Sequence, residues 1–142
     1  RPMRYITTKQ EYEKLAKSET LKKDVDEFWY KIAGNSERAA EIIEEYFTRV
    51  EISNKYFTSY TEGWKTDRGL IYMIYGAPSS VYKTETYETW TYTEKTNIMS
   101  VEFSFQKVNN TFSDNHYLMS RSIGYKSSWY RAIESWRQGR VF

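Results

Sequence analysis

Three of the six glycines and one of the two prolines fall within residues 63–78, and an unbroken apolar run lies between them. The run is Leu70-Ile71-Tyr72-Met73-Ile74-Tyr75. Aromatic, β-branched and long apolar side chains without alternation suit a strand covered on both faces, so a central strand is expected here. Gly76-Ala77-Pro78 ends it, because proline lacks a donor and restricts the residue before it. Ahead of the run stands Gly63-Trp64-Lys65-Thr66-Asp67-Arg68-Gly69, a polar turn between two glycines. Asp67 or the Thr66 hydroxyl can close such a turn locally. Arg68 can pair with Asp67, with a buried carboxylate or with backbone carbonyls. Trp64 is too large to leave in water cheaply and is expected to plug the core. Two readings follow: a structural corner with a tryptophan anchor, or a site built on Asp67 and Arg68 at the mouth of the strand.

Helical periodicity dominates the chain before this stretch. Thr8-Lys9-Gln10-Glu11 has the spacing of a capping box, opening a short helix with Tyr12, Leu15 and Ala16 inward. Thr20 can cap a second helix whose apolar positions are Leu21, Val25, Phe28, Trp29 and Ile32, with Gly34 beyond its end. Asn35 or Ser36 opens a longer helix with an inward stripe of Ala39, Ile43, Tyr46, Phe47, Val50 and Phe57. Glu41, Glu44, Glu45 and Glu51 form its wet side.

After the run the period changes to two. A short extended piece is expected around Val81-Tyr82-Lys83. Tyr87 to Thr93 follows, with Trp90 and Tyr92 on one face. Turn residues Glu94-Lys95-Thr96-Asn97 lead to Met99, Val101, Phe103 and Phe105, which alternate with polar side chains. Residues 108–115 read as a polar loop and His116 to Ser120 as a further strand. Ser127 or Ser128 caps a last helix carrying Trp129, Ala132, Ile133 and Trp136, closed by Gly139. Helices, then strands, then a helix make an α+β fold: N-terminal helices, an antiparallel sheet of about four strands covered mainly on one face, and a C-terminal helix. One domain over residues 1–142 is expected, with a helical lead-in over 8–58, the turn and strand meander over 63–121, and the last helix over 127–139.

Gly-Trp-x-Thr-Asp followed by Arg-Gly, an apolar segment and Tyr-Gly-x-Pro resembles the signature of the GWxTD domain family. Phe28-Trp29, Glu45-Tyr46-Phe47-Thr48-Arg49-Val50, Asn54 and Phe57 resemble that family's helical lead-in. Tyr87-Glu88-Thr89-Trp90-Thr91-Tyr92 and Phe103-Ser104-Phe105 resemble its strands. The resemblance implies a domain of a secreted, periplasmic or outer-membrane-associated bacterial protein, with any signal or lipid anchor lying before Arg1. It carries no activity with it.

Composition narrows the chemistry. Twenty-one basic residues against nineteen acidic give a net charge of +2, which argues against a nucleic-acid binder driven by phosphate neutralisation. No stretch has the apolar length of a membrane span. With no cysteine and one histidine, thiolate chemistry is excluded and no metal or cofactor is implied. Ser113, Asp114 and His116 contain the residue types of a hydrolytic triad without a nucleophile elbow. Glu88, Glu102 and Asp67 could supply paired carboxylates, since Glu88 and Glu102 fall on neighbouring predicted strands. No catalytic set can be assigned from these. Aromatics make up 18% of the chain, fourteen of them tyrosine, and such an excess marks either a thick core or a recognition surface. The expectation is a non-catalytic interaction module that binds a protein partner or a neighbouring domain of its own full-length chain. The binding residues would be those of the signature region: Trp64, Thr66, Asp67, Arg68, Tyr75 and Tyr92. A glycan-binding module using exposed Tyr and Trp, and a hydrolase centred on Asp67 and Arg68, are the alternatives.

Overall fold

The computed structural model describes residues 2–93, 101–120 and 124–139. The helices are α1 (Lys9–Ala16), α2 (Leu21–Ala33), α3 (Ser36–Phe57), α4 (Asp67–Tyr75) and α5 (Gly124–Arg137). The strands are β1 (Ser80–Lys83), β2 (Tyr87–Tyr92), β3 (Val101–Lys107) and β4 (Tyr117–Met119). Short 3-10 turns cover Pro2–Tyr5 and Gly63–Lys65. This is the expected α+β arrangement, with one central correction.

The apolar run 70–75 is helix α4, not a strand. A six-residue apolar run carries no period that separates a buried strand from a buried helix. What decides is the start. Thr66 is extended, and its hydroxyl accepts the Gly69 amide as an N-cap, while Asp67 lies in the first turn, where a carboxylate suits the helix dipole. Ile71, Met73, Ile74 and Tyr75 are all buried, so the helix is apolar nearly all round and needs cover on every side. α3, the sheet and α5 supply it.

The lead-in follows the local signals closely. Thr8 and Glu11 form a reciprocal capping box. Gly34 ends α2 in the left-handed region at φ 84°, and the Asn35 side chain accepts the Arg38 amide to start α3. Three details differ. Thr20 makes no side-chain cap; the Ser18 hydroxyl instead accepts the Thr20 amide and donates to Asp24. Ala16 and Phe47 are exposed, and the inward stripe of α3 runs through Ala39, Ile42, Tyr46, Ser53 and Phe57. α5 begins at Gly124 rather than at Ser127 or Ser128, so Ser128 lies within the helix and is buried.

The strands form one antiparallel sheet in the order β1-β2-β3-β4. Trp90 stands opposite Phe103 and Glu88 opposite Phe105, so Glu88, Trp90, Tyr92, Phe103 and Phe105 share the buried face, with Tyr117 beside them. The other face presents Tyr82, Tyr87, Thr89, Ser104, Glu102 and Leu118, half-buried or exposed. The expected turn at 94–97 and Met99 lie outside the described residues. Among the described residues Trp29, Trp136, Tyr46, Phe103, Phe105, Ile6, Ile42, Ile71 and Met73 are the largest fully buried side chains. Tyr46 meets Trp136 edge to face at 5.1 Å, a geometry aromatic quadrupoles prefer, and Trp29 packs tilted against Tyr46.

Candidate functional site

The signature is built from α3 outward. A Cβ on Gly63 would lie 1.7 Å from the Ser53 carbonyl oxygen, and one on Gly69 would lie 1.8 Å from the Gly63 carbonyl oxygen. Both glycines therefore answer to close backbone approach, which lets the 3-10 turn lie against α3 and the first turn of α4 lie against that turn. Trp64 is buried, its amide donates to Asn54 Oδ1 at 3.2 Å, and its carbonyl accepts the Tyr5 hydroxyl at 2.7 Å. The Thr66 hydroxyl donates to the Gly63 carbonyl at 2.7 Å while capping α4.

Asp67 and Arg68 do not bond to one another. Asp67 is half-buried, and its Oδ2 accepts the Met119 amide of β4 at 2.7 Å. Arg68 turns inward. Its Nη1 donates to Glu88 Oε2 at 2.9 Å, and its Nη2 donates to Asn115 Oδ1 at 2.7 Å and to the Asn115 carbonyl at 3.0 Å. The guanidinium lies 3.9 Å from the centre of the Tyr117 ring and 5.0 Å from that of Phe57. Burial pushes the Arg68 guanidinium down from its ordinary range, and Glu88 opposes that shift; neutralisation by the partner is what makes a buried cation tolerable. Glu88 Oε1 accepts the Trp90 indole N–H at 3.1 Å. Asn115 completes the junction: its Nδ2 donates to the carbonyls of Tyr56 and Thr58, both at 3.0 Å. Helix α3, helix α4, strand β2 and the loop before β4 thus meet on one satisfied polar network.

The C-terminal end of α4 is held as tightly. Gly76 has φ 79°, and Arg49 donates from Nη1 to the Met73 and Ile74 carbonyls at 3.1 and 3.4 Å. The Trp136 indole donates to the Ile74 carbonyl at 3.0 Å, and Tyr92 donates to the Gly76 carbonyl at 2.8 Å. A cation and two donors at the carbonyl end of a buried helix satisfy the groups that the helix leaves open. Tyr75 bonds to Ser128 at 2.7 Å, and burial raises its phenol to about 12.

Of the six signature-region residues named from the sequence, Trp64, Thr66, Arg68, Tyr75 and Tyr92 are buried and Asp67 is half-buried. The side-chain oxygens and nitrogens of Thr66, Asp67, Arg68, Tyr75 and Tyr92 bond to internal partners, and Trp64 is held by its backbone amide and carbonyl. The other candidate sets do not assemble. Glu88 faces the core while Glu102, opposite Thr91, points to the outer face, so these carboxylates cannot work as a pair. No hydrogen bond links Ser113, Asp114 and His116 side chains among the described residues; the Ser113 hydroxyl accepts the Asn115 amide, and His116 lies against the Tyr60 ring at 4.9 Å. No group of three or more His, Asp or Glu residues suited to a metal ion occurs among the described residues, and no described helix is long and apolar enough to cross a membrane.

The resemblance picks out Arg49 and Asn54 as part of the lead-in without a role, and nothing in the sequence singles out Asn115; all three bond to the signature region. Arg49 and Asn54 lie on a helix whose polar face gives no hint of which side chain turns inward. Asn115 lies in a polar loop where any Asn looks alike. Outside the junction the surface is aromatic. Tyr56 is 57% exposed, Tyr60 59% and Phe112 84%. Asn115 ties the Tyr56 carbonyl to the loop that carries Phe112, and Phe112, three residues before Asn115, lies within about 11 Å of it along the chain. A cleft of about 370 Å³ lies elsewhere, between α4, α5 and the sheet, lined by Leu70, Phe103, Met119, Tyr125 and Trp129. A wide groove of about 930 Å³ between α2 and α3 carries mixed charge and is remote from the signature.

The GWxTD domain matches residues 1–138. This chain belongs to the GWxTD domain family. The glycine, tryptophan, threonine and aspartate that spell the family name are the close-approach glycine, the anchored indole, the helix cap and the acceptor of the β4 amide described above. No curated protein and no solved structure matches the chain.

Proposed function

We propose that this GWxTD domain is a non-catalytic interaction module of a secreted or envelope-associated protein. It binds a protein partner through the aromatic corner outside the signature, formed by Tyr56, Tyr60 and Phe112. One observation carries the reading. Arg68, Glu88 and Asn115 direct their polar groups to one another and to the backbone, while three large aromatic side chains around them stand more than half exposed. Exposed tyrosine and phenylalanine at a rigid corner suit protein hot spots, because they bring large contact area at low entropic cost. A sugar would also need free polar groups beside the rings for its hydroxyls. The adjacent carboxamide of Asn115 already bonds to Tyr56, Thr58 and Arg68, so protein is favoured over glycan.

The test is site-specific photo-crosslinking in the full-length protein in its native cells, with the photoreactive residue at Tyr60, at Phe112 or, as a control, at Tyr130. Tyr130 is an equally exposed aromatic on α5. A discrete protein adduct from Tyr60 and Phe112 but not from Tyr130 is expected, in the fraction outside the cytoplasm. Absence of an adduct, equal labelling at Tyr130, or an adduct degraded by glycosidases rather than proteases would overturn the reading.

A further inference from the structure

A four-stranded sheet has two edges, and this one treats them differently. At β4 the ladder alternates, with Val108 donating to the His116 carbonyl and Ser120 to the Ser104 carbonyl. That parity turns the amides of Tyr117 and Met119 away from β3. The Met119 amide is then taken by the Asp67 carboxylate, and α4 packs against this strand. Among the described residues, the signature takes one outward amide of this edge, and α4 covers the strand.

At β1 the hairpin closes with the Thr84 amide donating to the Tyr87 carbonyl at 2.8 Å. The same alternation points Ser80 and Tyr82 toward β2 and turns the backbone groups of Val81 and Lys83 outward. Among the described residues nothing bonds to those outward groups. All four residues of β1 are exposed, Val81 at 51%. An exposed strand edge with an apolar side chain is a template for pairing.

Charge says what kind of strand fits. Lys83 Nζ lies 3.7 Å from Glu88 Oε2, and its side chain is 66% exposed. That carboxylate oxygen already accepts from Arg68. Two cations share one carboxylate, which leaves positive charge at the edge. Glu85 stands in the hairpin turn and is exposed, without an ion pair to Lys83 among the described residues. A second copy of this chain would bring another Lys83 to the same edge, and four paired residues fall well short of the roughly 1,000 Å² of a stable dimer.

We propose that β1 is a strand-addition site for an extended segment of another protein. The segment would carry an apolar residue beside Val81 and a carboxylate two positions along, beside Lys83. Backbone hydrogen bonds to Val81 and Lys83 would hold it, and the two side chains would set its register. This surface is distinct from the aromatic corner, so either reading can fail without the other.

Val81→Pro tests the edge cleanly. It removes the outward N–H and leaves the bonds of the β1–β2 ladder in place. The probe is a phage-displayed library of random dodecapeptides selected on the whole chain. Enriched peptides should carry the apolar-x-acidic spacing. Their affinity should fall about tenfold or more with Val81→Pro and with Lys83→Glu, and binding should slow hydrogen exchange at the Val81 and Lys83 amides. Should Val81→Pro fail to fold, Lys83→Glu and the exchange pattern decide alone. The proposal is overturned if no peptide is enriched, if enriched peptides bind Lys83→Glu or folded Val81→Pro as well as the native chain, or if exchange slows elsewhere. It is overturned equally if the free protein sediments as a dimer that Val81→Pro dissociates, since the edge would then belong to a second copy.

Discussion

Arg68→Met should expose how much of this fold rests on one buried ion pair. The side chains of Arg68 and Glu88 are 5% and 6% exposed. Removing the guanidinium deletes three hydrogen bonds, at 2.9, 2.7 and 3.0 Å, and leaves the Glu88 carboxylate in the core. Breaking a buried pair from one side costs about 3–5 kcal/mol, because the remaining charge is uncompensated. Two features pull the figure toward the lower end. Glu88 keeps the Trp90 indole donor, and Lys83 at 3.7 Å can swing in from the surface. A loss of about 3–4 kcal/mol is expected, which for a chain of this length lowers Tm by about 10–15 °C. The assay is urea unfolding followed by far-UV circular dichroism, with m-values compared to confirm that the unfolded reference is unchanged. Glu88→Leu alone should cost a similar amount, by stranding the cation. The double variant should lose less than the sum by about 1.5 kcal/mol or more, because neither charge is left alone. If Arg68→Met stays within about 1 kcal/mol of the native chain, or the two losses add to within about 0.5 kcal/mol, the network is not a coupled unit and the account of the corner is wrong.

Gly63→Ala and Gly69→Ala drive a methyl group into backbone carbonyls at 1.7 and 1.8 Å, so each should cost about 3 kcal/mol or more by chemical denaturation; Gly34→Ala, with open space at φ 84°, should cost only about 1–2 kcal/mol. Asp67→Ala strands the Met119 amide and should cost about 1–3 kcal/mol, whereas Asp67→Asn keeps an acceptor and should lose clearly less, by the same measurement. Burial raises the phenols of Tyr5 and Tyr75 to about 12 and those of Tyr46 and Tyr92 further. A folded-state pKa above the ordinary value of 10.0 contributes stability that is intact below 10.0 and lost as pH rises toward 12; ultraviolet titration should therefore show these phenols ionising together with loss of near-UV dichroism. The Arg137 guanidinium holds the Glu11 carboxyl below its ordinary 4.5, so that pair's contribution is present above 4.5 and fades as pH falls below it. Glu11→Gln retains the capping box, and it should cost under about 1 kcal/mol at neutral pH and nothing in acid, compared by urea unfolding.

The parts of this fold that were legible in the sequence are those whose signals are local. Thr8 and Glu11 cap one another within four residues, Gly34 ends a helix by its own φ, and the alternation of Val101, Phe103 and Phe105 sets one face of β3. Helix α4 was illegible for a physical reason. Its threonine cap is followed three residues later by Gly69 rather than by the Glu or Gln of a capping box, and glycine in a first turn lowers helix propensity. Gly69 is there because only a residue without a Cβ fits against the Gly63 carbonyl. The contact that makes the helix possible also makes it look like a loop. Glu88 failed as a member of a carboxylate pair in the same way. It lies on the strand face shared with Trp90, and nothing local shows that the cation it needs arrives from a helix twenty residues earlier.

The contiguity of the signature follows from that helix. On a strand, Asp67 and Arg68 would point to opposite faces, and Thr66 would share a face with Arg68. On the first turn of a helix, successive residues are rotated by about 100°, so consecutive side chains fan out to different neighbours. Thr66 turns back to the Gly63 carbonyl, Asp67 reaches the outward amide of β4, Arg68 reaches β2 and the loop before β4, and Gly69 yields space to the turn behind it. Four adjacent residues therefore make four unrelated contacts, and each residue type is fixed by a different one. The Asp67 contact also closes a sheet edge with a carboxylate. Among the described residues that device acts at β4 alone, so the meander has a polarity: an edge covered by α4 and bonded to the signature and, three strands away, an edge whose donors and acceptors face outward.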